Sequence, residues 1–493
     1  MKRFLLLSGL AFLLSVHLAA AQSPAQQYVD QLQRSGILKD AVWGVLAVDR
    51  NGQVLAAHNQ QQRMVPASNL KLVTTGTALH AFGPDFRFTT EVGYTGTVRD
   101  GVLEGDVYLI GHGDPTLGAK DSIATENRRL FWQWKSFLRE AGIQRIQGRI
   151  VGDGTVYEGN LEHSSWEYND IGTYYGTGMS ALCFYQNSID LEVQADVVGQ
   201  PVRMRQSYPE TPWMHLSNQS ITGPDGTGNS LYLYTTDLAP YAELRGSFAT
   251  DRRPKTEHFA NKFGALTCAY YFWKNLCETG WTVDGGYADV DRNGYVRGPD
   301  FVPADKAATP TVLGRTLSAP LRDIARITNV RSDNFYAESL LRAMGEQASE
   351  SALYDSCLVA RRQVLEELVP DPDGLRQTDG CGLSRMNYVS PEWMVRFLQG
   401  MQQSPAFEAF LASIPHPGEG TLTTLLPQAE GRERIRVKSG SMDGVLCYSG
   451  YILGPDGQPA VTLSILTNNT TAPVSEVRAA LARFLKLLLD GTN

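Results

Sequence analysis

Five side chains in this sequence have the types and spacing for one reaction, acyl transfer through a serine. Ser68 and Lys71 stand three residues apart, Ser332 and Asn334 bracket Asp333, and Lys438 opens the run Lys438-Ser439-Gly440. A serine hydroxyl is a weak nucleophile near neutral pH and needs a base within hydrogen-bond reach. Residues three apart on a helix share a face, so Lys71 can point at the Ser68 hydroxyl. To serve as that base Lys71 must be neutral part of the time, which burial and a second cation can arrange. Lys438 is a candidate for that second cation and for a partner of a substrate carboxylate. Ser332 can pass a proton to a leaving amine, and Asn334 can orient Lys71 and bond a substrate amide. The backbone N–H groups of Ser68 and Ser441 can face a developing oxyanion, with Ser439 and Gly440 beside them. Each motif alone has an ordinary structural explanation: a helix-capping serine with an exposed lysine, a second cap, an edge strand entering a turn. Their order and placement together argue against that explanation.

The elements that must position these groups can be read from periodicity. A short helix over 25–35 precedes a strand pair, 41–48 and 53–58, joined by Asp49-Arg50-Asn51-Gly52, a hairpin turn signal. The spacing of Leu70, Val73, Thr77 and Leu79 predicts a helix over 68–81, with Ser68 at its start. Strands such as 88–94 and 105–110 recur with frequent turn signals, so 85–255 reads as a β-rich inserted region of one or two subdomains. Helices resume over 260–279 and 321–344, and Ser332-Asp333-Asn334 falls in a connection between helices. Strands over 434–438, 445–453 and 460–467 follow, with Lys438-Ser439-Gly440 closing the first of them. A helix over 474–489 is apolar on Val477, Leu481, Phe484, Leu485 and Leu488. Strands at both ends with helices between predict an α+β domain, 22–84 with 256–493, interrupted by the insertion.

The three motifs match the Ser-x-x-Lys, Ser-x-Asn and Lys-Thr/Ser-Gly set of penicillin-binding proteins and class A β-lactamases. The whole chain after the leader resembles one group of these, the penicillin-binding protein 4 type of D-Ala-D-Ala carboxypeptidase and endopeptidase (class C, low molecular mass). The resemblance rests also on Pro66-Ala67 before Ser68, Gly83-Pro84-Asp85-Phe86-Arg87-Phe88, Gly113-Asp114-Pro115-Thr116-Leu117 and Asp379-Gly380-Cys381-Gly382-Leu383-Ser384-Arg385. It implies a β-lactamase/transpeptidase-like serine domain, an antiparallel sheet flanked by helices, that hydrolyses peptidoglycan peptides through an acyl-enzyme and is inhibited by β-lactams. Trp166-Glu167-Tyr168-Asn169-Asp170 is similar to a segment whose aspartate binds the amino group of a substrate side chain. Asp170 is the candidate for that role, with a plain exposed loop aspartate as the competing reading. Two positions depart from the pattern: Cys381 replaces a serine, and Ser439 stands where threonine is commoner.

Composition limits the alternatives. The 493 residues are 42% hydrophobic and 19% charged, as in ordinary globular proteins, and the formal net charge of −8 disfavours a nucleic-acid partner. Lys2 and Arg3, an apolar run from Phe4 to Leu14, and Ala19-Ala20-Ala21 predict a signal peptide over 1–21, hence a periplasmic protein without a membrane span in its mature chain. No Cys-x-x-Cys occurs among the six cysteines, whose pairing is not legible. The eight histidines lack metalloprotease spacing, so neither a metal nor an organic cofactor is expected. Asp289-x-Asp291-x-Asn293-Gly294 imitates half of a calcium loop but reads better as a polar turn. Two rival functions keep much of this description: a β-lactamase or esterase using the same residues, and a non-catalytic wall-binding module.

Overall fold

A computed structural model of the chain describes residues 22–492; the expected signal peptide lies outside the described residues. One sheet organises the region around the motifs. Its five antiparallel strands run in the spatial order Val54–His58, Val42–Asp49, Pro459–Asn468, Val445–Leu453, Ile435–Met442. The two ends of the chain thus meet in its middle, with Trp43 opposite Thr467 and Val45 opposite Ile465. On one face the amphipathic helices Pro24–Arg34 and Val474–Asp490 bury Val29, Leu32, Val477, Leu481 and Phe484 against sheet residues Val45, Leu463 and Ile465. Such burial contributes about 1.5–3 kcal/mol per large aliphatic or aromatic side chain.

The helix Leu70–Phe82 belongs to the core that also holds the other helices. Every residue from Leu70 to Leu79 is buried, polar ones included. A helix covered on all sides must satisfy its hydroxyls internally, and Thr75 and Thr77 donate to the carbonyls of Lys71 and Val73 one turn back. Helices Leu321–Arg331 and Asn334–Ser349 pack directly against it. They are separate helices, joined at the expected connection Ser332-Asp333-Asn334, because Ser332 takes a left-handed conformation (φ 60°) and Asp333 caps the second helix by accepting the Tyr336 N–H. A non-glycine residue held left-handed costs about 1–2 kcal/mol, so this corner is imposed by its surroundings.

The inserted region contains several smaller sheets and a seven-stranded mixed sheet. In the latter, Thr89–Tyr94 pairs on one side with Val107–Gly111 and on the other with Thr311–Leu317, while Tyr287–Val290 pairs with Ile150–Asp153. A boundary at 255 would therefore cut through a hydrogen-bonded sheet. We propose that the inserted region extends to Leu317, because its last strands complete a sheet begun before residue 111. Asp289 pairs with Arg297 at 2.8 Å, and Asp291 accepts the N–H groups of Asn293 and Tyr295. The calcium-like run is thus the turn of a hairpin. Among the described residues no helix is long and apolar enough to cross a membrane.

Candidate active site

Ser68 sits in a single 3-10 turn, Ala67–Asn69, that feeds the buried helix. The turn is clamped from two sides where no side chain could fit. A methyl group on Gly440 would meet the Pro66 carbonyl and lie 3.1 Å from the Ser68 nitrogen. A methyl on Gly382 (φ +85°) would collide with the Ala67 carbonyl. The strand Ile435–Met442 therefore runs tightly beside the serine. It continues through Met442, so Lys438-Ser439-Gly440 lies inside the strand and does not close it. This is an edge strand, paired only to Val445–Leu453, with Ser441 opposite Leu446.

Two hydroxyl–amine pairs meet here. Lys71 Nζ lies 2.9 Å from Ser68 Oγ, 2.6 Å from Asn334 Oδ1 and 2.7 Å from the Cys381 carbonyl oxygen. Lys438 Nζ lies 2.9 Å from Ser332 Oγ and 2.7 Å from the Ser439 carbonyl oxygen. Asn334 donates its amide N–H to the Tyr175 carbonyl, which fixes its oxygen toward Lys71. Both lysines are fully buried, and among the described residues neither forms a salt bridge. Burial lowers the pKa of Lys71; burial and the neighbouring Lys71 push Lys438 well below the ordinary lysine value. A neutral amine has two N–H bonds and one lone pair. At Lys71 the two acceptor oxygens of Asn334 and Cys381 match the N–H bonds, leaving the lone pair for the Ser68 hydroxyl.

The cleft above these groups has a volume of about 510 Å³ and includes Ser68, Ser332, Asn334, Ser439 and Ser441. Asp170 also lines it, with Glu167, Tyr175 and Arg385. Its carboxylate accepts the Tyr175 hydroxyl at 3.2 Å, and burial raises its pKa. Arg385 pairs with Glu167 at 2.7 Å, joining the signature loop to the inserted region across the cleft. Thr421, which motif reading did not single out, shares a hydrogen bond with Ser439 at 2.7 Å.

Beneath Lys71 lies a layer of buried acids. Glu338 accepts the N–H groups of Gly380 and Cys381. Burial, with Asp379 adding to it, raises its carboxyl to about 7. Asp379 accepts four N–H donors, the Gly382 and Ser384 N–H groups, the Trp166 indole and the Asn387 amide, and the Cys381 thiol at 3.8 Å. Among the described residues Glu338, Asp379 and Cys381 are grouped closely enough to hold a metal ion. Their carboxylate oxygens, however, already accept N–H donors and the Tyr354 hydroxyl, so the cluster serves to set the backbone that receives Lys71. Sequence reading missed Glu338 in this role, since nothing in its local pattern sets it apart from another acid on a helix. Burial pushes the Cys381 thiol well above its ordinary pKa, so it is held as a neutral thiol.

A serine held against a buried, unpaired lysine, beside the free edge of an antiparallel sheet, defines a serine hydrolase of the penicillin-recognising class. The chain belongs to the D-Ala-D-Ala carboxypeptidase 3 (S13) family, which it matches over residues 25–488, and is a serine-type D-Ala-D-Ala hydrolase. It is 29% identical over 461 residues to a D-alanyl-D-alanine carboxypeptidase of Actinomadura sp. (strain R39), covering 90% of this chain and 81% of that protein. It is 23% identical over 472 residues to D-alanyl-D-alanine carboxypeptidase DacB of Haemophilus influenzae, covering 91% and 90%. In fold it is similar to the crystal structure of penicillin binding protein 4 from Haemophilus influenzae, with a TM-score of 0.77 at 22% identity over 94% of this chain and 98% of that one. A second structure of that protein, complexed with a β-lactam, matches with a TM-score of 0.71.

Proposed function

We propose that this protein is an exported, periplasmic enzyme that cleaves D-Ala-D-Ala bonds in peptidoglycan peptides, with Ser68 as nucleophile and β-lactams as acylating inhibitors. Neutral Lys71 takes the Ser68 proton as Oγ attacks the penultimate D-alanine carbonyl. The Ser68 and Ser441 N–H groups hold the resulting oxyanion. As the tetrahedral centre collapses, the C–N bond breaks and the leaving amine takes, through the Ser332 hydroxyl, the proton that Lys71 had removed, so that Lys71 is neutral again. Water then attacks the acyl ester and gives up a proton to Lys71, which returns it to Ser68 Oγ as the shortened peptide is released. Asn334 orients Lys71 and bonds the acyl-side amide, while the edge backbone at Ser439 to Ser441 aligns the extended substrate. Asp170 receives a cationic group on the substrate side chain.

The observation that carries this reading is the pair of buried lysines, each hydrogen-bonded to a serine, both serines opening on one cleft. The walls supplied by Asp170, Tyr175 and the Glu167–Arg385 pair favour a peptide substrate over simple β-lactam hydrolysis, for which such a platform is superfluous. The test is Ser68→Ala with a fluorescent penicillin: the parent protein is labelled and the variant is not. Labelling of the variant would remove Ser68 from its role, and rapid turnover of a chromogenic cephalosporin by the parent would favour a β-lactamase.

A further inference from the structure

Aromatic rings cover the outer face of one small sheet in the inserted region. Its middle strand, Tyr241–Arg245, pairs in parallel with His215–Asn218 and antiparallel with Tyr232–Thr235. Strand alternation sends Leu233, Ala242 and Leu244 inward, where they join a core with Leu191 and Phe248. The same alternation turns Tyr232, Tyr234, Tyr241, Glu243 and Arg245 to the other face, with His215 in register beside Tyr241. The rings hold one another in place. Tyr232 and Tyr234 meet edge to face with centroids 4.8 Å apart, the Arg245 guanidinium lies 4.6 Å from the centre of the Tyr234 ring, and His215 stacks on Tyr241 at 5.3 Å. Glu243 accepts the Tyr241 hydroxyl and pairs with Arg245. A sugar ring fits such a surface: its axial C–H bonds rest on the electron-rich aromatic faces, and its hydroxyl and acetamido groups bond to the polar groups between them. With Arg245 neutralised by Glu243, the face suits an uncharged sugar better than a charged partner.

This face is continuous with the catalytic cleft. Tyr168, 65% exposed, lies 5.3 Å from Tyr234 between ring centroids, and its neighbours in sequence, Glu167 and Asp170, line the cleft. Gly172 fixes the junction. A methyl group there would collide with the Leu233 carbonyl, so the loop that bears Asp170 lies directly on the tyrosine strand. In the function proposed above, on which this inference rests, the acyl half of the substrate lies along the Asp170 wall. Followed toward its amino end, a peptidoglycan stem peptide leads to an N-acetylated sugar. We propose that the face formed by Tyr168, Tyr234 and Tyr232 binds the glycan to which the stem peptide is attached. The enzyme thereby selects peptide that is still joined to its saccharide over free peptide.

Tyr168→Ala and Tyr234→Ala, made separately, test this, with Tyr234→Phe as the variant that keeps the ring. Initial rates of D-alanine release are measured on a disaccharide-linked pentapeptide and on the same pentapeptide without sugar, alongside acylation by fluorescent penicillin. The parent should prefer the sugar-linked substrate by roughly tenfold in kcat/KM, expressed in KM. Each alanine variant should lose most of that preference, and Tyr234→Phe should keep it. Rates on the free pentapeptide and on penicillin should stay within about twofold of the parent, since neither ligand reaches the tyrosines. A parent without the preference, alanine variants that keep it, or equal losses on both substrates would each overturn the proposal. A parent dimer that Tyr234→Ala dissociates, seen by sedimentation with no change in sugar preference, would assign the face to a second copy of this chain instead. Failure of the parent to release D-alanine or to be acylated would refute the catalytic reading beneath the proposal.

Discussion

Asp379→Asn isolates the worth of the acid layer beneath the active site. The Asp379 carboxylate is fully buried, and its two oxygens each accept two N–H donors: Gly382 N–H and the Asn387 amide on one, Ser384 N–H and the Trp166 indole on the other. An asparagine supplies one oxygen and one NH2 group, so whichever way it turns, two of the four donors face a donor. Hydrogen bonds to a charged acceptor contribute about 1.5–3 kcal/mol each, so two lost bonds predict destabilisation of about 3–6 kcal/mol. The lower end is favoured because loss of the charge also relieves its repulsion of Glu338. Trp166→Phe removes a single donor and leaves the carboxylate three N–H donors, so it should cost about 1.5–3 kcal/mol. Urea unfolding followed by far-UV circular dichroism gives both values. The same loop supplies the carbonyl that receives Lys71, so Asp379→Asn should also slow penicillin acylation by at least roughly tenfold. An Asp379→Asn protein within about 1 kcal/mol of the parent, or a Trp166→Phe variant costing more than it, would refute the reasoning.

Three further outcomes are expected. The two lysines cannot both be protonated without repulsion, so replacing Lys438 by methionine makes protonated Lys71 easier to hold; the acidic limb of the acylation rate should move to higher pH, and an unmoved or lowered midpoint would contradict the pairing. Burial raises the Asp114 carboxyl to about 6, although Thr116 donates to it twice. The folded state therefore holds a proton that the unfolded chain has already released, and stability falls as pH rises from the ordinary carboxyl range through about 6. Asp114→Asn, whose oxygen can accept both bonds, should remove that fall and raise stability at pH 8 by about 2–3 kcal/mol, read from denaturation midpoints at pH 5 and 8. All six cysteines are free thiols and Cys277 alone among them is exposed, so a thiol reagent should titrate one group in the native protein and six after unfolding, with Cys381→Ser retaining acylation.

The parts of the site legible in the sequence are those fixed by local geometry. Ser68 and Lys71 share a helix face whatever surrounds them, and a lysine in an edge strand points where the strand alternation puts it. The capping role of Asp333 is equally local, and with the left-handed Ser332 it accounts for the connection between two helices that the motif was expected to occupy. Glu338 was not legible, because a single acid in an apolar helix acquires its meaning only from the Gly380 and Cys381 N–H groups that fold onto it. The end proposed for the inserted region, Leu317, was hidden for a related reason. Thr311–Leu317 pairs with strand Thr89–Tyr94, contributed by a distant part of the chain, and alternation within a strand carries no information about its partner.

The strand that carries Lys438 has a consequence for solubility. An enzyme that aligns extended peptides must keep one strand edge unsatisfied, and such an edge is also a template on which another copy of the protein could stack. Here the hazard is limited by the strand itself, which spans only the eight residues Ile435–Met442 and carries the basic residues Arg436 and Lys438. Its length suits one short extended peptide better than a growing sheet.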